Sequence, residues 1–266
     1  NNGFYGPLFH VSSWIPRHLM FGHVKNSARF ISGVLACFVL TGLPNSQAAL
    51  TISNTRVVFH SDKRNVSLRV LNPSTKPFAV QTWVNTIADD QTTAVPFIAS
   101  PPLFRLNANK EQQVQINGLP QSLPKDRETL FYFNVQEIPQ LETSETNQLN
   151  IALRTRIKLF WRPTELTGTP LDSLKDLQWS IQSTDGKPRL IVNNPSPFHV
   201  SFIRIELSAN GQTFSLKDTT MAHPLDTQTY ELDGFKPTPG MQVTFSVIND
   251  YGAITEPMTL PVALDI

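Results

Sequence analysis

Residues 149–161 read Leu-Asn-Ile-Ala-Leu-Arg-Thr-Arg-Ile-Lys-Leu-Phe-Trp. The odd positions are apolar except Thr155, and the even ones carry Asn150, Arg154, Arg156 and Lys158, with Ala152 and Phe160 as exceptions. A helix repeats its faces every ~3.6 residues, so this period of two belongs to a β-strand with one dry and one wet face. Fully extended, the stretch would reach about 43 Å. A domain of ~115 residues is roughly 35 Å across. The strand is therefore expected either to twist through its own core or to overhang it.

The punctuation around this strand suits an all-β protein. Pro (21) outnumbers Gly (12), and charged residues make up only 16% of the chain. Short apolar runs broken by proline-rich turns are the pattern of a sandwich rather than of helices or α/β units.

The first 48 residues stand apart. Lys25 and Arg29 precede an uncharged apolar run over 30–43; Pro44 breaks it, and Ser46-Gln47-Ala48 has the small-x-small form of a cleavage site. This predicts a secretory signal peptide, because about fourteen residues are too few for a membrane span of ~20. Met20 looks like a natural start, which would make residues 1–19 an upstream extension of the reading frame. Without 1–48 the chain loses Cys37, its only cysteine, and holds 19 basic against 21 acidic residues. A disulfide, a thiol nucleophile and a cysteine-held metal are then excluded. Near-neutral charge argues against a nucleic-acid partner.

Strands are expected over 49–59, with Arg56 in its middle, then 66–71, 78–84, 95–98, 103–106, 114–116 and 130–135 before the long strand. Arg162-Pro163 ends that strand, and 164–170 reads as a linker. The pattern resumes over 177–181, 189–192, 199–207, 212–216, 227–232 and 241–248. The expected domains are 49–163 and 164–266, each an immunoglobulin-like sandwich. Asn72-Pro73-Ser74, followed by Pro77-Phe78, is echoed by Asn194-Pro195-Ser196-Pro197-Phe198. That echo fits either two similar sandwiches or independent Asn-Pro turns.

Nothing in the sequence carries catalysis. There is no nucleophile elbow, phosphate loop, dinucleotide fingerprint or zinc-protease helix. His60, His199 and His223 are far apart, so no metal site is expected; Asp89-Asp90 reads as a solvated turn. No enzyme activity, cofactor or small-molecule substrate is expected.

Residues 123–139, Leu-Pro-Lys-Asp-Arg-Glu-Thr-Leu-Phe-Tyr-Phe-Asn-Val-Gln-Glu-Ile-Pro, closely resemble the signature segment of the periplasmic pilus (fimbrial) chaperones. Thr55-Arg56-Val57-Val58-Phe59 is similar to that family's first strand. The Pro-Pro segment at 97–106 and the strand end Ile157-Lys158-Leu159-Phe160-Trp161-Arg162-Pro163 also match. So do Asn194-Pro195-Ser196-Pro197-Phe198 and Ile248-Asn249-Asp250-Tyr251-Gly252. The matches span 49–266 in order.

The resemblance implies an all-β protein of two immunoglobulin-like domains set as a boomerang about a cleft. It implies a periplasmic chaperone that completes pilus subunits by donor-strand complementation and delivers them to an outer-membrane usher. Leu149, Ile151 and Leu153 are then the inserted donor residues. Arg56 and Lys158 grip the subunit's C-terminal carboxylate, and Glu128, Arg162 and Asp250 form an interdomain ion network. The short loop over 140–148 resembles the subgroup associated with rod-like pili. An exposed donor edge could also be capped by a second copy, as a self-capping homo-oligomer. The rival reading is an adhesion or structural protein of two sandwiches without chaperone activity.

Overall fold

The computed structural model describes residues 50–90, 92–120, 122–138 and 152–265. The expected signal segment, the loop over 140–148, and the donor residues Leu149 and Ile151 lie outside them.

In the first half, strands β1 (Thr51–Ile52), β2 (Arg56–His60), β3 (Asn65–Leu71), β4 (Phe78–Asn85), β5 (Phe97–Ser100), β6 (Leu103–Leu106), β7 (Glu111–Gly118), β8 (Thr129–Ile138) and β9 (Arg154–Arg162) build two sheets. One has the order β1-β3-β7-β5, the other β2-β9-β8-β4-β6. Two segments change sheets. The expected strand over 49–59 is split at 53–55, because β1 pairs antiparallel with β3 while β2 pairs parallel with β9. Between β5 and β6, Pro101 and Pro102 cannot donate to a ladder. Their carbonyls instead accept hydrogen bonds from Thr82, through its hydroxyl at 2.8 Å and its amide at 2.9 Å.

The inner faces enclose one core. Val70, Val80, Val114, Ile116, Phe133 and Leu159 are fully buried, and Phe59, Phe97 and Phe131 meet edge to face at centroid distances of 5.1 and 5.0 Å. Burial of such a side chain contributes ~1.5–3 kcal/mol. The odd residues Ile157, Leu159 and Trp161 of β9 point into this core as the alternation predicts. Phe160 is equally buried yet belongs to neither core, and its place is described below.

In the second half, β10 (Gln178–Thr184), β11 (Lys187–Asn194), β12 (Phe202–Ala209), β13 (Gln212–Ser215), β14 (Asp226–Glu231), β15 (Gln242–Val247) and β16 (Met258–Asp265) are ordered β13-β12-β15-β16-β10-β11-β14. Strand β16, which the sequence reading did not find, closes the sandwich. Its residues 258–261 pair antiparallel with β15 and its residues 262–265 pair parallel with β10. It thus passes from one layer to the other, as strands do at sandwich corners. Pro261 stands where the partner changes, so the residue that obscured the strand marks its turning point. The second core gathers Trp179, Ile181, Leu190, Ile205, Leu207, Val243 and Phe245.

The sequence echo is a shared turn. Asn72 Oδ1 accepts from the amide and hydroxyl of Ser74 at 3.0 and 2.7 Å, and its Nδ2 donates to the Lys76 carbonyl at 2.8 Å. Asn194 makes the same bonds with Ser196, at 3.1 and 2.7 Å, and with the Phe198 carbonyl at 2.8 Å. Both asparagines are fully buried, so each turn satisfies its own polar groups.

Candidate functional site

Strands β2 and β9 lie parallel with Arg56 directly opposite Lys158. Neighbouring residues in a ladder share a face, so both cations stand on the outward face of the five-stranded sheet, opposite in parity to Ile157 and Leu159. From there they reach the second sandwich. Arg56 Nη1 donates to the Ile248 carbonyl at 2.8 Å, and Lys158 Nζ donates to Ser201 Oγ at 3.0 Å. Neither forms an ion pair among the described residues, and Arg56 Nε is buried without an acceptor. The electrostatic consequence is large. Burial, and then the Arg56 cation beside it, holds the Lys158 ammonium down to about 8. Burial likewise lowers Arg56, outweighing the attraction of Asp250 and Glu128. Two adjacent, desolvated cations with no carboxylate in ion-pair contact among the described residues make a site that a carboxylate would relieve.

Beside this pair, β9 has an open edge. It pairs with β8 from Arg154 to Trp161, but with β2 only from Lys158 onward. Between Arg154 and Ile157 its other edge has no partner among the described residues. Leu153 precedes the strand; its carbonyl accepts the Glu137 amide at 3.0 Å and the residue is 47% exposed. It is not part of the sandwich's own core.

The third group is brought together at the junction of the sandwiches. Arg162 Nε donates to Glu128 Oε1 at 2.7 Å, while Nη1 and Nη2 grip Asp250 at 2.7 and 2.9 Å. Glu128 is nearly sealed from solvent. Burial pulls Arg162 down, but the bonds and charges of Asp250 and Glu128 outweigh it, so its pKa lies above the ordinary value. A buried ion network of this kind adds little net stability but is costly to break. Here it joins the entry to β8 and the end of β9 to the turn after β15.

Several partners at this junction were not assigned to it from the sequence, although Pro197 and Phe198 lie in one of the matching motifs. His199 donates its backbone amide to Glu128 Oε2 at 2.8 Å and sets its ring Nδ1 3.0 Å from the same oxygen. Pro197 accepts the Glu128 amide at 2.9 Å, and Phe198 lies under the Arg162 guanidinium at 5.4 Å. The Asn194 turn therefore presents three successive residues to the other sandwich. Phe160, the exception in the alternation, packs on the His199 ring at 5.3 Å: its face of the sheet is dry there because a second domain covers it. His199 and His223 come within 5.4 Å of each other, but among the described residues no group of three ligating side chains forms. Gly252 closes the turn that carries Asp250. Its φ of +84° suits glycine, and a Cβ there would overlap Thr55 Oγ1 across the junction.

Two immunoglobulin-like sandwiches are thus held together beside a strand that carries two cations and, among the described residues, an unpaired edge. Comparison with known proteins names the family. Residues 49–167 match the N-terminal domain of the pili and flagellar-assembly chaperone PapD, and residues 172–259 match the C-terminal domain of the pili assembly chaperone PapD. The chain belongs to the pili assembly chaperone family. It is 37% identical over 231 residues to the probable fimbrial chaperone YadV of Escherichia coli K12, covering 83% of this chain and 94% of that one. The crystal structure of YadV chaperone superimposes with a TM-score of 0.71 at 35% identity, over 80% of this chain and all of that one. The SafB chaperone in complex with SafA pilin, from Salmonella enterica, gives 0.68 at 28% identity over 80% and 96%.

Proposed function

We propose that this protein is a periplasmic chaperone that holds fimbrial subunits by donor-strand complementation and hands them to an outer-membrane usher. A subunit lacking one strand exposes an apolar groove and unpaired backbone groups, which invite aggregation. Strand addition supplies both needs, and chaperone–pilin complementation is one of its established modes. The observation that carries the reading is the juxtaposition on β9, among the described residues, of an edge open from Arg154 to Ile157 and, at its end, the pair Arg56 and Lys158 without an ion-pair partner.

In this arrangement the subunit's C-terminal carboxylate sits on Arg56 and Lys158. That anchor fixes the register, which matters because a slip of one residue would turn every inserted side chain to the wrong face. Leu153, with Leu149 and Ile151 before it, fills the groove. Glu128, Arg162 and Asp250 hold the two sandwiches in the relation that keeps the cations beside Ser201 and Ile248. The chaperone relatives argue against an adhesion or structural protein, and they give no reason to expect catalysis.

Affinity recovery of the tagged protein from a periplasmic extract, with mass spectrometry of what comes with it, tests the reading. Fimbrial subunits are expected with the wild type and with neither Arg56→Ala nor Lys158→Ala, both variants remaining folded and soluble. Leu153→Glu should also lose the subunit while its stability stays within about 0.5 kcal/mol of wild type, since the residue is half exposed. Normal subunit recovery by both anchor variants would sink the model.

A further inference from the structure

The outward face of the five-stranded sheet continues beyond the anchor. Arg154, Arg156 and Lys158 share it, spaced ~6.6 Å apart along β9. The two arginines are held very differently.

Arg154 is closed. It lies over Trp83 at 5.0 Å, and its nitrogens are all donated, to Asp89 and to Asn134. Asn134 in turn donates to Asn85 at 2.9 Å, and Asn85 donates to Asp89 at 2.6 Å, completing a ring of bonds. The ring ties the loop after β4 down onto β9 through Asp89, which stays exposed beside the turn as expected. Its carboxyl is held at about 2 by Arg154 first and Asn85 second.

Arg156 is open. Its guanidinium lies 3.8 Å from the Tyr132 ring centroid, and Nη2 donates to the carbonyl of Thr86 on that loop. Nε is buried and has no acceptor; its nearest carboxylate is Asp89, at 4.0 Å. The group is thus fixed from behind by a ring and from one side by a carbonyl; among the described residues only Nη2 makes a hydrogen bond, and the side chain keeps 26% of its surface exposed. It stands on the part of the β9 edge that is open among the described residues, two residues before Lys158.

We infer that Arg156 is a second reading point for the client, selecting a side-chain carboxylate on the strand that adds to β9, close to that strand's C-terminus. The inference rests on the function proposed above. A client whose terminal carboxylate lies at Lys158 and whose preceding residues run back toward Arg154 must lie parallel to β9. Its alternate side chains then share the face of Arg156 across a strand spacing of ~4.8 Å, within reach of an aspartate or glutamate. A planar guanidinium favours a carboxylate there, and like charge is refused.

The probes are fluorescein-labelled twelve-residue peptides of alternating threonine and valine with a free C-terminus. A single glutamate replaces each of the last six residues in turn, and binding to the whole protein is read by anisotropy. Glutamate at one position among the last four is expected to tighten binding about tenfold, and lysine at that position to weaken it. Arg156→Met should keep the affinity for the glutamate-free peptide and lose the gain, as should wild type with glutamine in place of glutamate. If the free-acid peptides bind better than their amides but no position responds to glutamate, or if the gain survives in Arg156→Met, the inference is overturned and the chaperone reading stands. If amidation makes no difference, the anchor itself fails and this inference falls with it. Should Arg156→Met not fold, the glutamate scan on wild type decides alone.

Discussion

On the proposed reading, Lys158 should make client capture a proton-linked event. Burial and Arg56 place its pKa at about 8 in the free protein, so roughly nine in ten of these side chains are charged at pH 7 and one in ten at pH 9. A carboxylate docked on the ammonium would raise that value again. Between the two pKa values the complex then holds a proton that the free chaperone lacks, and affinity falls as pH rises. For a free-state pKa of about 8 the loss between pH 7 and pH 9 is about tenfold. An ordinary lysine, at about 10.4, would give almost none.

The assay is anisotropy of a free-acid threonine–valine peptide across this range, with calorimetry at pH 8 in two buffers of different ionisation enthalpy to count protons taken up. Lys158→Arg cannot deprotonate here, so its affinity should stay flat. A flat wild-type profile, or an equal fall in Lys158→Arg, would refute the reasoning. The sign for stability is opposite. Between about 8 and 10.5 the unfolded chain holds the extra proton, so Lys158 destabilises the free fold below this window and that cost is relieved as pH rises through it. Urea unfolding against Lys158→Met should show the difference between the two proteins shrinking over that range.

Other expectations concern the junction. Arg162→Ala strands the sealed Glu128 carboxylate and should cost ~3–5 kcal/mol in urea unfolding; a loss under about 1 kcal/mol would show that the network is not sealed in solution. Gly252→Ala should destabilise by ~1–3 kcal/mol, from backbone strain together with overlap on Thr55. Adding Thr55→Ala should recover only the overlap part, giving a coupling of ~0.5–3 kcal/mol in the double-mutant cycle. A cycle that closes to zero would mean the two residues do not touch.

The alternation over 157–161 and the proline turns made the sandwiches legible, since patterning reports which face is dry. Phe160 broke the pattern for a reason that a single-strand reading cannot hold: the second dry surface comes from another domain. Strand β16 was missed because Pro261, a residue that normally ends strands, here sits where the ladder changes partner. Arg56, Lys158, Glu128, Arg162 and Asp250 could be named only through family motifs. Their spacing in sequence says nothing of a convergence made by parallel pairing and by a turn after β15. His199 and Ser201 were invisible for a plainer reason: a histidine and a serine following a turn look like any others until a second domain lies against them.

The short strand β2 has a consequence of its own. It covers β9 only from Lys158 onward, so any guest strand lying along the open edge runs into Arg56 and cannot extend further. On the proposed reading this makes β2 an end-stop. A polypeptide can seat its carboxylate only if it finishes there, and one still carrying downstream residues would collide with the stop before reaching the cations. The protein would then distinguish a finished chain from an unfinished one by length alone, gauging where its guest ends before any detail of its sequence is tested.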